Sequence, residues 1–205
     1  MPLDAEAAVR HLRRADPVMR SIVKAVGPLG LKPGSRGDNF TTIARAIVGQ
    51  QLSAKAAETI WQRLLALHPN GKRLRPEDVV AAADPAMRGA GLSAAKTLYL
   101  KDLAARVASG EVRLDRLSRL DDERIIAELL SVKGVGRWTV EMFLIFKLGR
   151  PDVWPVDDLG IRNAVKRFYG LEPTKDNMQQ VAEPWRPWRS VASWYLWRSL
   201  SLPPV

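Results

Sequence analysis

Two consecutive aspartates, Asp157 and Asp158, are the residues of this 205-residue chain whose types and spacing most directly indicate chemistry. They precede a predicted helix that begins at Leu159, and an aspartate before a helix is usually its N-cap. Because one cap is sufficient, the second carboxylate needs a further explanation. A carboxylate can stabilise the oxocarbenium-like sugar that forms when a glycosidic bond breaks. The pair therefore indicates either a helix cap alone or a cap beside a group that acts on a sugar.

A basic hairpin with two glycines, Gly134 and Gly136, precedes the aspartates. It joins a predicted helix over residues 122–130 to a second helix that begins at Arg137. Glycine permits a positive φ and a close approach to another molecule, and the unpaired N–H groups at a helix start attract phosphate. Lys133 and Arg137 add positive charge. The pattern favours a helix–hairpin–helix that binds a nucleic-acid backbone whatever its sequence, and the alternative is a turn that only packs.

The charge balance makes a polyanion the expected partner, because 32 Lys and Arg residues face 22 Asp and Glu residues for a net charge of +10. The chain has no cysteine, which excludes disulfides, cysteine nucleophiles, thiolate zinc sites and cysteine-ligated iron–sulfur clusters. The two histidines, His11 and His68, lie in segments typical of a surface, so a histidine-centred triad is not expected. No apolar run approaches the roughly 18–20 residues of a membrane span, and the N-terminus lacks the apolar core of a signal peptide. We therefore expect no membrane partner and a cytoplasmic location, at the nucleoid of a bacterium.

Helical periodicity runs through the chain and no segment alternates as a half-buried strand does, so the fold class is predicted to be all-α. The apolar positions after the hairpin, among them Phe143 and Phe146, are predicted to lie in the core. One helix is expected to end at Gly170 and the last to begin at about Pro187. Helix N-caps are predicted at Asp16, Ser53, Ser93 and Asp121.

Four segments together resemble the helix–hairpin–helix DNA glycosylase superfamily, in its 3-methyladenine DNA glycosylase II branch: GVGRWT, the VDD before a helix, ARAIVGQQLS and PWRSVASWYLW. The likeness covers roughly residues 38–200 and is to the compact form without an N-terminal β-domain. It implies two packed helical subdomains, with the helix–hairpin–helix motif and an active site in the cleft between them. The limits expected for a single glycosylase domain are about 38–137 for one subdomain and 1–37 plus 138–205 for the other.

The resemblance also implies roles for the residues of the active site. Asp158 falls on the catalytic aspartate of the family, with Asp157 beside it at the helix cap. Trp138, Met142 and Trp197 fall on positions that line the pocket for the base. Trp138 stands where bifunctional members carry a Schiff-base lysine, so no lyase activity is implied.

A further set of residues is expected to contact DNA. Gln51 falls on the residue that fills the gap left by an extruded base, and Leu52 is the second candidate for that role. Arg189 is a further candidate for a contact to the backbone. The hairpin contacts are expected from Lys133, Gly134, Gly136 and Arg137. The backbone carbonyls that match the monovalent-cation ligands of the family, for Na⁺ or K⁺, are those of Leu130, Val132 and Val135.

The function implied by the resemblance is that of a monofunctional DNA N-glycosylase in base excision repair. The expected substrate is double-stranded DNA with alkylated, cationic bases such as 3-methyladenine and 7-methylguanine, and the expected state is a monomer. No cofactor for catalysis and no iron–sulfur cluster are expected. The alternative is a non-catalytic helix–hairpin–helix DNA-binding module of a repair complex, which needs the hairpin and the charge but not the aspartate.

Overall fold

The computed structural model describes residues 3–34, 37–68 and 73–202 and shows helices without any strand in these ranges, which confirms the all-α class. No helix in the same ranges is both long enough and apolar enough to cross a membrane. Twelve α-helices are found in the described residues. They are Ala5–Ala15 (α1), Pro17–Val26 (α2), Asn39–Gly49 (α3), Ala54–Ala66 (α4), Pro76–Ala81 (α5), Asp84–Gly89 (α6), Ala94–Ala108 (α7), Asp122–Leu130 (α8), Arg137–Phe143 (α9), Leu159–Tyr169 (α10), Lys175–Ala182 (α11) and Arg189–Ser199 (α12).

The helix ends follow the capping residues that the sequence predicts. Asp16 caps α2, where its Oδ1 accepts hydrogen bonds from the Val18 and Met19 amides at 2.8 and 3.1 Å. Gly170 ends α10 with a φ of 66°, in the left-handed region that favours glycine. The last helix begins at Arg189 rather than at Pro187, because the amide of Trp188 donates to the Trp185 carbonyl and closes a turn before it. The other predicted caps, at Ser53, Ser93 and Asp121, are confirmed.

The chain divides into two compact units, and the first comprises Met1–Ser35 and Leu144–Val205. Helix α12 is central to this unit, since it packs against α1, α2 and α10. Its side chains Val191, Tyr195 and Leu196 are fully buried. Burial of this apolar surface, at about 25 cal/mol per Å², is the main force that holds the terminal helices together.

A buried carboxylate, Asp16, joins the two ends of the first unit. Its Oδ2 accepts from the Tyr169 hydroxyl at 2.7 Å and from the Trp185 indole N–H at 2.8 Å. Burial, together with the hydrogen bond to this carboxylate, raises the pKa of Tyr169 well above its usual value. Asp16 therefore accepts from donors on both of its oxygens, as a buried charge requires if it is not to destabilise the fold.

The second unit comprises Arg36–Phe143 and contains α3 to α9. Helix α3 packs against α4, α7 and α9 and buries Phe40, Ile43 and Ile47. Helices α8 and α9 pack on each other and flank the glycine hairpin. The expectation of one glycosylase domain with subdomain limits near 38 and 137 stays a prediction.

The first prediction concerns Asp16. We expect Asp16→Asn to lower the free energy of unfolding by about 1–3 kcal/mol, because an amide group would face the Trp185 N–H and leave a buried donor without an acceptor. Asp4 is the matched control, since it is an exposed N-cap whose Oδ1 accepts one bond from the Ala7 amide. Asparagine caps a helix about as well as aspartate, so Asp4→Asn should change the free energy by less than about 0.5 kcal/mol. Urea denaturation of the two variants measures the difference, and equal effects would contradict the role given to Asp16.

Candidate active site

Asp158 lies at the start of α10 in the first unit and is buried, with 9% of its surface exposed. Its Oδ1 accepts the amide hydrogen of Ile161 at 2.9 Å, so Asp158 itself is the N-cap. The expectation that Asp157 would stand at the cap is wrong, since Asp157 is exposed one residue before it. The residue expected to carry the chemistry is therefore the one that the helix holds in place.

A second donor meets the same oxygen. The indole N–H of Trp197, on α12, donates to Asp158 Oδ1 at 2.8 Å. Hydrogen bonds to an ionised acceptor are stronger than those between neutral groups. The structure thus brings together two of the residues that the resemblance selects, Asp158 and Trp197.

Phe146 is a residue of this site that the sequence analysis missed. Its ring stacks on Trp197 with centroids 5.6 Å apart and planes 29° apart, and 39% of its surface is exposed. The prediction that Phe146 lies in the core is therefore wrong, while Phe143 is buried as predicted. The reason is that residues Leu144–Leu148 form a π-helix, so an argument from the 3.6-residue period does not place the Phe146 side chain.

The glycine hairpin of the second unit has a defined internal geometry. Gly134 has a φ of 75°, and the Val135 amide donates to the Val132 carbonyl at 3.1 Å. The Lys133 amide donates to Asp102 Oδ2 at 2.9 Å, which fixes the hairpin against α7. Within the described ranges, the amides of Gly134 and Gly136 donate to no backbone carbonyl. The hairpin is therefore held at its base while two of its amides stay available to an acceptor.

The two basic side chains at the hairpin stand beside carboxylates of their own unit. Arg137 Nε lies 3.2 Å from Glu141 Oε1, and its Nη2 lies 3.6 Å from Glu123 Oε1. Lys133 Nζ lies 4.0 Å from Asp102 Oδ1. Half of the Arg137 side chain is exposed. The Arg137–Glu123 pair is exposed on both sides, and such a pair contributes at most about 1 kcal/mol, so a phosphate can replace Glu123 as the partner of Arg137.

The turn that carries Gln51 has a strained backbone. Gln51 has a φ of 57° and is exposed, as is Leu52. Lys96, on α7, donates to the carbonyls of Val48 and Gln50 at 2.8 and 2.6 Å, and burial lowers its pKa. These bonds offset part of the strain, which typically amounts to about 1–3 kcal/mol for a residue in this region.

The same turn is tied to the hairpin. The Gln50 side-chain amide donates to the Gly134 carbonyl at 2.9 Å, and both residues belong to the second unit. Neither Lys96 nor Gln50 carries a sequence signal for this role, because the contacts join positions that are distant along the chain. Two segments expected to meet DNA are therefore positioned by one hydrogen-bond network.

The remaining predicted residues have different environments. Trp138 and Met142 lie on α9, with 47% of Trp138 exposed and Met142 half-buried, and their role in a base pocket stays a prediction. Arg189 instead pairs with Asp152 through Nε–Oδ1 and Nη2–Oδ2 contacts of 2.7 and 3.0 Å, and only 12% of its side chain is exposed. We assign Arg189 a structural role rather than a contact to DNA.

The carbonyls expected to hold a cation suit that task chemically. Na⁺ and K⁺ favour neutral oxygen ligands such as backbone carbonyls. In the residues that the structure describes, the Leu130 and Val135 carbonyls accept no backbone hydrogen bond, and the Val132 carbonyl accepts one, from the Val135 amide. A carbonyl oxygen has two lone pairs, so all three retain the capacity to coordinate.

A helical chain that joins a basic helix–hairpin–helix to a helix capped by a buried aspartate has the features of a helix–hairpin–helix DNA repair protein. The chain belongs to the HhH-GPD superfamily of base excision DNA repair proteins, whose family model matches residues 44–189.

Comparisons with individual proteins agree with this family. The chain is 37% identical over 198 residues to DNA-3-methyladenine glycosylase 1 of Schizosaccharomyces pombe, which covers 94% of this chain and 86% of that protein. A solved structure of the S. pombe 3-methyladenine DNA glycosylase in complex with abasic DNA superimposes with a TM-score of 0.84 at 36% identity, over 97% of this chain and 98% of the other. A DNA-3-methyladenine glycosidase from Bacillus halodurans gives a TM-score of 0.85 at 31% identity, over 95% and 89% of the two chains.

The two hairpin glycines give a matched pair of substitutions. A Cβ at Gly134 would lie 2.1 Å from the Tyr99 ring at a positive φ, whereas a Cβ at Gly136 would meet nothing within 4 Å. We expect Gly134→Ala to lower the free energy of unfolding by about 1–3 kcal/mol, while Gly136→Ala leaves it within about 0.5 kcal/mol. Gly136→Ala should nevertheless weaken DNA binding, because the methyl group would occupy open space beside an amide that is expected to bind phosphate. Thermal unfolding measures the change in stability, and fluorescence anisotropy with duplex DNA measures the change in binding. If both substitutions lower the free energy of unfolding equally, the different roles given to Gly134 and Gly136 are wrong.

Proposed function

We propose that the protein is a monofunctional DNA N-glycosylase that removes alkylated bases from double-stranded DNA in base excision repair. The observation that carries the proposal is the buried carboxylate of Asp158, whose Oδ1 accepts from the Ile161 amide and from the Trp197 indole. The names of the related proteins, DNA-3-methyladenine glycosylases, support it. A non-catalytic DNA-binding module would need the hairpin and the positive charge but neither this aspartate nor an aromatic pocket for a base.

The substrate class follows from the chemistry of the aromatic side chains. A purine alkylated at N3 or N7 carries a positive charge, and an indole face attracts a cation by roughly 0.5–2 kcal/mol. We assign this contact to Trp197 and, on α9, to Trp138 with Met142 beside it. Rotation of the nucleotide out of the duplex costs a few kcal/mol and costs least for a weakly paired lesion. Both effects favour 3-methyladenine and 7-methylguanine over normal bases.

Asp158 acts on the sugar. As the bond between C1′ and the base breaks, its electron pair leaves with the base and the sugar becomes oxocarbenium-like. A carboxylate aimed in advance at that positive charge stabilises the transition state without reorganisation. Water then adds to C1′ and loses a proton, which leaves an abasic site. The cationic base is already a good leaving group, so the reaction needs no general acid.

The contacts to DNA are assigned to the second unit. The amides of Gly134 and Gly136 bind phosphate, with charge from Lys133 and Arg137. The Gln51 side chain fills the gap left by the extruded base, and Leu52 is the second candidate for that role. The carbonyls of Leu130, Val132 and Val135 would hold Na⁺ or K⁺, which would add positive charge at the same phosphate. The enzyme is proposed to act as a monomer and without a cofactor for catalysis.

The central test of this function is Asp158→Asn. The amide oxygen can still accept from the Ile161 amide and the Trp197 indole, so the fold should persist while the negative charge is lost. We expect single-turnover release of 7-methylguanine from duplex DNA to fall by about 100-fold or more, with binding to the lesion retained. The neighbouring, exposed Asp157→Asn is the control and should release the base at the wild-type rate. Wild-type release by Asp158→Asn would refute the assignment.

The hairpin charges predict a change in salt dependence. We expect the double variant Lys133→Ala/Arg137→Gln to weaken binding to damaged and undamaged duplexes alike and to reduce the slope of log K against log salt by about 1–2. Glutamine is used at 137 because it can still donate to the buried Glu141. The control, Lys24→Ala/Lys175→Ala, removes the same charge from two exposed positions. If both double variants reduce the slope equally, net charge rather than the hairpin accounts for the binding.

A further inference from the structure

We propose that Gly160 and Trp197 are positioning residues for Asp158: the missing side chain at position 160 lets the Trp197 indole reach the carboxylate and fix its orientation. This inference rests on the proposed function and identifies what sets the direction of the reacting carboxylate. All three residues belong to the first unit.

The space around Gly160 explains the glycine. A Cβ built at Gly160 would lie 3.1 Å from Asp158 Oδ1, 3.1 Å from Trp197 Cδ1 and 3.4 Å from Trp197 Nε1. Two of these distances are shorter than ordinary van der Waals contacts. A methyl group would therefore push apart the two groups that the 2.8 Å hydrogen bond holds together.

The backbone does not require glycine at this position. Gly160 lies in the first turn of α10 and is not among the glycines with a positive φ. Glycine is a poorer helix former than alanine, by about 0.5–1 kcal/mol in a helix interior. Neither backbone conformation nor helix propensity favours glycine at position 160, and the room it leaves for the indole accounts for it.

The two donors to Oδ1 come from different helices. The hydrogen bond from the Ile161 amide fixes the carboxylate relative to α10, and the bond from the Trp197 indole fixes it relative to α12. Two fixed donors on one oxygen restrict rotation of the carboxylate group more than the cap bond alone does. The ring of Phe146, stacked on the indole, restricts the indole in turn.

The test uses two abasic-site analogues in the same duplex, a cationic pyrrolidine that mimics the charged sugar and a neutral tetrahydrofuran. Wild-type protein should bind the pyrrolidine duplex more tightly. Trp197→Phe keeps a ring for stacking but removes the N–H, and Gly160→Ala keeps both partners but separates them. Each should reduce the preference for the cation by about 10-fold, because a hydrogen bond to a charged group is lost, while tetrahydrofuran binding is retained.

A double variant shows whether the glycine acts through the indole. In the Trp197→Phe background the smaller ring leaves room for a methyl group, so Gly160→Ala should cost little further preference. Additive losses would overturn the inference. The matched control is Gly89→Ala, since Gly89 ends α6 and a Cβ there would meet nothing within 4 Å. This variant should retain the wild-type preference.

The other outcomes are equally decisive. A variant that loses binding to both duplexes in the same proportion has a structural role only, and this result would overturn the inference. If Gly160→Ala does not fold, Trp197→Phe alone tests the inference, through the ratio of its affinities for the pyrrolidine and tetrahydrofuran duplexes. If the wild-type protein neither prefers the cationic analogue nor releases 7-methylguanine, the proposed function is refuted. If the wild-type protein does both and the variants keep its preference, only this inference is refuted.

Discussion

The structure of the candidate active site depends on the hydrogen bonds that hold one buried carboxylate. Removing a charge from water is costly unless donors replace the water. Asp158 receives the Ile161 amide and the Trp197 indole on the same oxygen. The first donor exists because the residue caps α10, and the second because α12 returns to the same unit. The fold of the first unit thus serves to bring a helix start and an indole together.

A comparison with the other buried aspartate described here clarifies the difference between structure and chemistry. Asp16 accepts from two amides with one oxygen and from Tyr169 and Trp185 with the other, so its carboxylate joins distant parts of the chain. At Asp158 the Ile161 and Trp197 bonds instead converge on one oxygen, Oδ1, and orient the carboxylate relative to α10 and α12. The two aspartates share the capping role and differ in what surrounds them.

The sequence predicts the parts of the fold that depend on local interactions. The caps at Asp16 and Asp121 and the helix end at Gly170 follow from side chains that bond to amides two or three residues away or from a backbone that needs glycine. The motif also selects Asp158 and Trp197. The contacts that the sequence does not predict join positions distant along the chain. Lys96 donates to carbonyls more than 40 positions earlier, and Arg189 pairs with Asp152. Phe146 is misplaced because a π-helix changes the period on which the prediction depends.

The proposed mechanism requires Asp158 to face the positive charge of the sugar once the base has been extruded. A crystal structure of the protein with duplex DNA that contains the cationic pyrrolidine analogue tests this claim directly. We expect an Asp158 carboxylate oxygen about 3 Å from the pyrrolidine nitrogen, the separation of a charge-assisted hydrogen bond, with the Trp197 bond intact. If the carboxylate faces away from the analogue and another group contacts its charge, Asp158 does not stabilise the sugar cation.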